Sequence, residues 1–202
     1  MKKYPILIFI LLAGVFGIWY VTSRNMESDQ VVQVPAADAV LQNIYKNSSL
    51  GFSLRLPEGY TTDESYTYQA LGPNKDIYGV KFTIPVAMRN GTNLSTDTYM
   101  SVEQMPLSPS CTAQPFIDDV TTPKMVTENG TTYSVASTSG AGAGNRYDET
   151  VYAISSTNPC IAVRYFIHYT AIENYNSDQV KAFDKQKLIE QFDMIRRSLI
   201  VR

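Results

Sequence analysis

From Tyr4 to Ser23 the chain runs twenty residues without a charge, behind Lys2 and Lys3 and ahead of Arg24. A helix rises about 1.5 Å per residue, so this run reaches about 30 Å, the depth of a bilayer's hydrocarbon core. Whatever follows must then fold on one side of a membrane. The two lysines favour the cytoplasmic side, which leaves the C-terminal bulk outside, and Trp19 and Tyr20 sit where aromatic rings prefer the interface. Residues 1–23 therefore read as an uncleaved single-pass anchor in the cell inner membrane, with the domain periplasmic or otherwise extracytoplasmic. The alternative is a signal peptide with Ile6 to Ala13 as its apolar region, cleaved to release a secreted protein. Val15 follows Leu11-Leu12-Ala13-Gly14 where a lipoprotein signal would place its cysteine, so lipidation there is excluded.

Residues 24–41 carry Asp29, Pro35, Ala36, Ala37 and Asp38 with few large apolar side chains, the composition of a tether. A flexible chain of that length spans about 25 Å root-mean-square, which would hold the domain near the membrane surface. Residues 42–202 are long enough for one domain with a real core. The net charge of −2 shows no strong electrostatic bias, and no Lys/Arg cluster lies beyond the N-terminus, so nucleic acid is not an expected partner. The sequons at Asn47, Asn90, Asn93 and Asn129 read as polar turns in a chain of bacterial character.

Cys111 and Cys160 are the only cysteines. An even count in an exported domain reads as one disulfide; two unrelated buried thiols are the competing reading. Two distant cysteines and a single histidine do not make a zinc site. Neither a metal nor a cofactor is expected.

Strand signals dominate the domain. Phe52, Leu54 and Leu56 alternate with polar residues before Pro57, and Tyr78, Val80, Phe82 and Ile84 alternate before Pro85. Thr98 to Met105 is a weaker strand. Asn129-Gly130 supplies the positive-φ pair of a tight hairpin turn between Lys124 to Val126 and Thr132 to Ser137. A second hairpin joins Tyr147 to Ser155 with Cys160 to Tyr169. In its return strand Ile161, Val163, Tyr165, Ile167 and Tyr169 share one face, and Ala162, Arg164, Phe166 and His168 the other. Large apolar residues on both faces predict a sheet covered on each side, with helices as the cover. The clearest helix is C-terminal, capped by Asp184, with Leu188, Phe192, Ile195 and Leu199 as its core stripe and Arg196, Arg197 and Arg202 gathered at its end, where cations complement the carbonyl dipole. The expected fold class is α+β, an antiparallel sheet flanked by helices as an α/β/α sandwich, preceded by one N-terminal transmembrane helix.

Motifs that carry chemistry are sparse. Ser139 to Gly144 is glycine-rich, but a strand follows it instead of a helix, so it reads as a flexible connection and not a phosphate loop. His168, the only histidine, reads as structural; as a general base it would work with Glu149 or Arg164. Asp118-Asp119 and Asp148-Glu149 read as solvated carboxylates. Glu149 is expected to pair with Arg164 across the hairpin, an exposed contact contributing at most about 1 kcal/mol. Tyr133, Tyr147, Tyr152, Tyr165, Tyr169 and Tyr175, with Phe166 among them, suit either a half-exposed sheet or an aromatic recognition surface. Arg146, Tyr147, Glu149, Arg164, Phe166 and His168 are the candidate binding residues; no catalytic set is expected.

The segment Tyr45-Lys46-Asn47-Ser48-Ser49-Leu50-Gly51-Phe52-Ser53-Leu54-Arg55-Leu56-Pro57-Glu58-Gly59-Tyr60 resembles the opening of PsbP-like domains, and Phe192 to Leu199 is similar to their final helix. The resemblance implies an antiparallel sheet between helices in an exported, non-enzymatic assembly or binding module. It transfers no catalytic residues, and the cysteine pair and glycine run depart from the pattern. The expected function is a membrane-tethered, non-catalytic accessory module that binds a protein partner or an envelope component. Inhibition of a cell-wall hydrolase, through a loop near Cys111 or Gly140 to Gly144, and a small-ligand hydrolase using His168 are the alternatives.

Overall fold

A computed structural model describes residues 41–105, 110–117, 122–176 and 179–202. The run Tyr4 to Ser23, the tether through residue 40 and Asp118-Asp119 lie outside the described residues. Among those described, no helix is long and apolar enough to cross a membrane.

Two antiparallel sheets build the domain. The small one has the order β1 (Asn43–Asn47), β2 (Phe52–Leu56), β11 (Ile200–Val201). Its first turn closes because the Asn47 side-chain oxygen accepts from the Leu50 backbone N–H at 2.8 Å and Gly51 takes φ 69°. The large sheet contains β3 (Thr61–Asp63), β4 (Thr67–Tyr68), β5 (Ile77–Thr83), β6 (Tyr99–Met105), β7 (Lys124–Glu128), β8 (Thr131–Gly142), β9 (Asn145–Ile154) and β10 (Cys160–Thr170). Its order is β3-β5-β6-β10-β9-β8-β7, with β4 also on β5. The two expected hairpins are β7–β8 and β9–β10. Asn129 and Gly130 take φ 49° and 81°, the pair of left-handed residues that a two-residue hairpin turn requires.

One core lies between the large sheet, the small sheet and the helix α2 (Lys185–Arg197). Leu188, Phe192 and Ile195 meet Phe52, Leu54, Val80, Phe82 and the odd-numbered residues Ile161 to Ile167 of β10. Asp184 caps the helix, its carboxylate accepting from the Lys187 N–H at 3.0 Å. One expectation is corrected. The other helix segment, α1 (Val86–Arg89), is a single turn and buries no residue, so among the described residues α2 is the only long helix and it covers one face alone. The opposite face carries small residues, Ala136, Val151, Ala153 and Ala162, which let the short 3-10 turn Gln114–Phe116 lie close against the strands. Phe116 and Ala113 fill that space, pinned there by the disulfide Cys111–Cys160. Arg196, one of the cations at the end of α2, is 1% exposed.

The glycine run is also corrected. Ser139 to Gly142 belongs to β8 and pairs with β9 as far as Gly142 opposite Asn145; only Ala143 and Gly144 turn, at φ 49° and 81°. The tip is held down, since the Gly144 carbonyl accepts from the Ala171 N–H at 2.8 Å and from the Asn174 amide at 3.0 Å. The disulfide marks an oxidising, extracytoplasmic environment.

Candidate functional site

Strand register decides which of the candidate side chains meet. Glu149 and Tyr99 lie opposite Phe166 on either side of β10, Tyr147 lies opposite His168, and Ser101 lies opposite Arg164. Tyr147, Glu149, Arg164, Phe166 and His168 therefore share the face turned away from α2. Arg146 does not join them. It follows the alternation to the reverse face, opposite Tyr169, and is exposed there.

Arg164 organises this face. Its Nε donates to Glu103 Oε1 at 2.8 Å and its Nη2 to Glu103 Oε2 at 2.9 Å. Nη1 donates to Glu149 Oε2 at 2.7 Å, and Nη2 also to the Phe116 carbonyl at 2.6 Å. The Tyr68 ring lies 3.5 Å from the guanidinium carbon, and its hydroxyl donates to Glu149 Oε2 at 2.9 Å. Ser101 Oγ donates to Glu103 Oε1 at 2.7 Å. Burial alone would loosen the Arg164 proton, but the Glu103 carboxylate outweighs it and holds the guanidinium charged well above its ordinary range. The pair expected at the surface is thus a buried triad: Arg164 and Glu103 are 0% exposed. Sequence reading missed Glu103, Ser101 and Tyr68. An acid in mid-strand, on the same face as Tyr99 and Met105, was the available signal.

Beside the triad runs an aromatic strip. Tyr99 stacks on Phe166 at 4.9 Å between centroids, Phe166 tilts against Tyr147 at 6.2 Å, and Tyr147 stacks on His168 at 4.4 Å. At the inner end the Tyr66 and Tyr99 hydroxyls bond at 2.7 Å, and burial pushes both phenols well above their ordinary range. Lys81 Nζ sits 5.4 Å above the Tyr66 ring. Phe166, Tyr147 and His168 are half-buried, so part of each ring meets solvent.

His168 has a partner that sequence reading did not supply. Its Nδ1 lies 2.7 Å from Asp97 Oδ1, whereas Glu149 and Arg164 are engaged with each other. Its Nε2 is buried and has no hydrogen-bond partner. An acid-oriented imidazole is present, but among the described residues no serine, threonine or cysteine hydrogen-bonds to its Nε2. Among the described residues no group of three or more His, Cys, Asp or Glu side chains could hold a metal ion.

Behind the sheet lies a second buried cation. Arg196 stacks between the Tyr152 and Tyr133 rings at 4.2 and 4.6 Å. It donates to Tyr165, Glu128 and Asp193. Asp148, on this reverse face, accepts from Lys185 at 2.7 Å and from Ser139 at 2.7 Å. Burial works to raise its carboxyl, and these donors still hold it below the ordinary carboxylate range.

No protein-family model matches the chain, and no curated protein matches it. A crystal structure of a protein from Bacteroides thetaiotaomicron is similar over 80% of this chain and 49% of that one, at 9% identity and a TM-score of 0.46. The chain spans about half the length of that protein, and a likeness of this degree carries no function across.

Proposed function

We propose that the chain is a membrane-tethered, extracytoplasmic accessory module without catalytic activity, docking a protein partner or an envelope component on the Tyr99–Phe166–Tyr147–His168 strip. The observation that carries this reading is the strip itself. Phe166, Tyr147 and His168, rings with few rotatable bonds, lie half-buried side by side next to the buried Tyr99, on a sheet face stiffened by the hydrogen-bonded Arg164 triad beside them. Rigid aromatic surface is what recognition sites use, because little side-chain freedom is lost on binding. The disulfide supports export, and the apolar run Tyr4 to Ser23 supplies the tether. The resemblance of Tyr45 to Tyr60 to PsbP-like domains agrees with an assembly role.

The test is capture of partners by the full-length protein from detergent-solubilised envelopes after crosslinking. Wild type and Arg146→Ala should retain the same specific partner, and Tyr147→Ala and Phe166→Ala should lose it. Equal capture by all four proteins would rule the strip out. Turnover of a small substrate abolished by His168→Gln would replace this reading with the hydrolase.

A further inference from the structure

We propose that the end of the large sheet distant from His168 carries a second binding site, for a neutral saccharide. A cleft of about 680 Å³ opens there, within the size range of small-ligand sites, about 300–1,000 Å³. Its walls are the β7–β8 turn at Gly130 to Thr132, the β9–β10 turn at Ser155 to Pro159, and the terminal segment Leu199 to Arg202. Core side chains, among them Ile154, Ile161 and Leu199, form an apolar floor.

The polar side chains around that floor are unspent. Gln104, Thr131, Ser156 and Asn158 line the cleft and make no side-chain hydrogen bond among the described residues. Two amides and two hydroxyls can each donate and accept. A sugar's hydroxyl groups ask for this mixture, since each both gives and receives a hydrogen bond. The wall that carries Ser156 and Asn158 is preorganised. Thr157 Oγ1 donates to the Ile154 carbonyl at 2.9 Å and accepts from the Ile161 N–H at 2.9 Å, with the disulfide at Cys160 directly behind.

Register adds an aromatic platform. Tyr78 on β5 lies directly opposite Gln104 on β6, which in turn lies opposite Ile161. Tyr78 is 62% exposed, unusual for a tyrosine standing on a strand flanked by the core residues Ile77 and Val80. Its open ring beside a hydrogen-bonding amide matches the two sides of a pyranose, one face of C–H groups and a rim of hydroxyls. Charge narrows the class further. Among the described residues no Asp or Glu lines the cleft and Arg202 is its only charged residue, so neither a cationic ligand nor a polyphosphate finds counter-charges there.

The experiment is ligand-observed NMR on the full-length protein in nanodiscs, titrated with chitotriose, a neutral N-acetylhexosamine trimer. Wild type should bind with a Kd of about 1 mM or tighter. Tyr78→Ala and Gln104→Ala should each weaken binding about five- to tenfold. Tyr78 is exposed, so its truncation leaves the core intact and the loss reads on the ligand alone. Phe166→Ala, on the opposite face, should bind like wild type. Absence of binding by wild type overturns the proposal. So does a loss with Phe166→Ala that Tyr78→Ala does not share, which would move the saccharide to the aromatic strip.

Discussion

Arg164 on β10 and Glu103 on β6 meet in a two-pronged ion pair of 2.8 and 2.9 Å, both side chains sealed from water although 61 residues separate them in the chain. Two charges withdrawn from solvent stabilise a fold only while both are present, because either one alone is an uncompensated buried ion. Arg164→Met should lower the unfolding free energy by about 3–5 kcal/mol, measured by urea denaturation. Adding Glu103→Leu should restore most of that loss, since an apolar pair needs no counter-charge. A single substitution costing under about 1 kcal/mol would mean the pair is solvated.

The disulfide closes a loop of 49 residues and fastens the segment around Phe116 to the sheet face that has no helix. Loop entropy places its contribution at about 4 kcal/mol. The double substitution Cys111→Ser with Cys160→Ser should lower stability by that order. Reductant should move the wild-type urea midpoint to that of the double variant and leave the variant unchanged.

Glu128 ties the β7–β8 hairpin to the end of α2. A hydrogen bond from Arg196, at 2.8 Å, is the main reason its carboxyl lies below the ordinary value of 4.5, with Arg197 adding to it. The folded state therefore holds the proton less tightly than the unfolded chain. Its contribution is complete above the ordinary carboxylate value and disappears as pH falls through the depressed folded value. Urea midpoints should decline on acidification below pH 4.5. Glu128→Gln should be less stable than wild type at neutral pH and show a shallower acid decline. Parallel acid profiles would remove Glu128 from the account.

Gly79 is the residue opposite Glu103, and it leaves the room that the buried acid occupies. A Cβ at this position would run into the Val102 carbonyl and approach the Glu103 side chain. Gly79→Ala should cost about 1–3 kcal/mol. Gly140→Ala, also in a strand but with open space around it, should fall within about 0.5 kcal/mol of wild type. Equal effects at the two glycines would contradict the close contact.

Legibility followed the range of the interactions. Phe52 to Leu56, Val80 to Phe82 and Ile161 to Ile167 declare their strands through a period of two, and Asp184 declares its helix through a cap three residues from the N–H it satisfies. The Asn129-Gly130 turn is equally local. Ser139 to Gly144 misled because glycine content signals a loop, whereas pairing with β9 continues the strand through it. Five of the six candidate binding residues come together on one face; Arg146 was grouped with Tyr147 by adjacency, and adjacency along a strand means opposite faces. Asp97 and Tyr68 join the site from a turn and another strand with no spacing in the chain to announce them, and Glu103 is marked only by being an acid in mid-strand.

Read alone, the chain determined its hairpins, its capped final helix and the alternation that sends Arg164, Phe166 and His168 to a common face. Each of these rests on contacts within a few residues or on composition. Tertiary structure decided which charges are buried and which rings touch. Glu103 meets Arg164, Asp97 meets His168 and Tyr78 stands opposite Gln104 because strands distant in sequence align in one particular register. That alignment is set by the packing of whole faces against each other, and a local pattern carries no record of it.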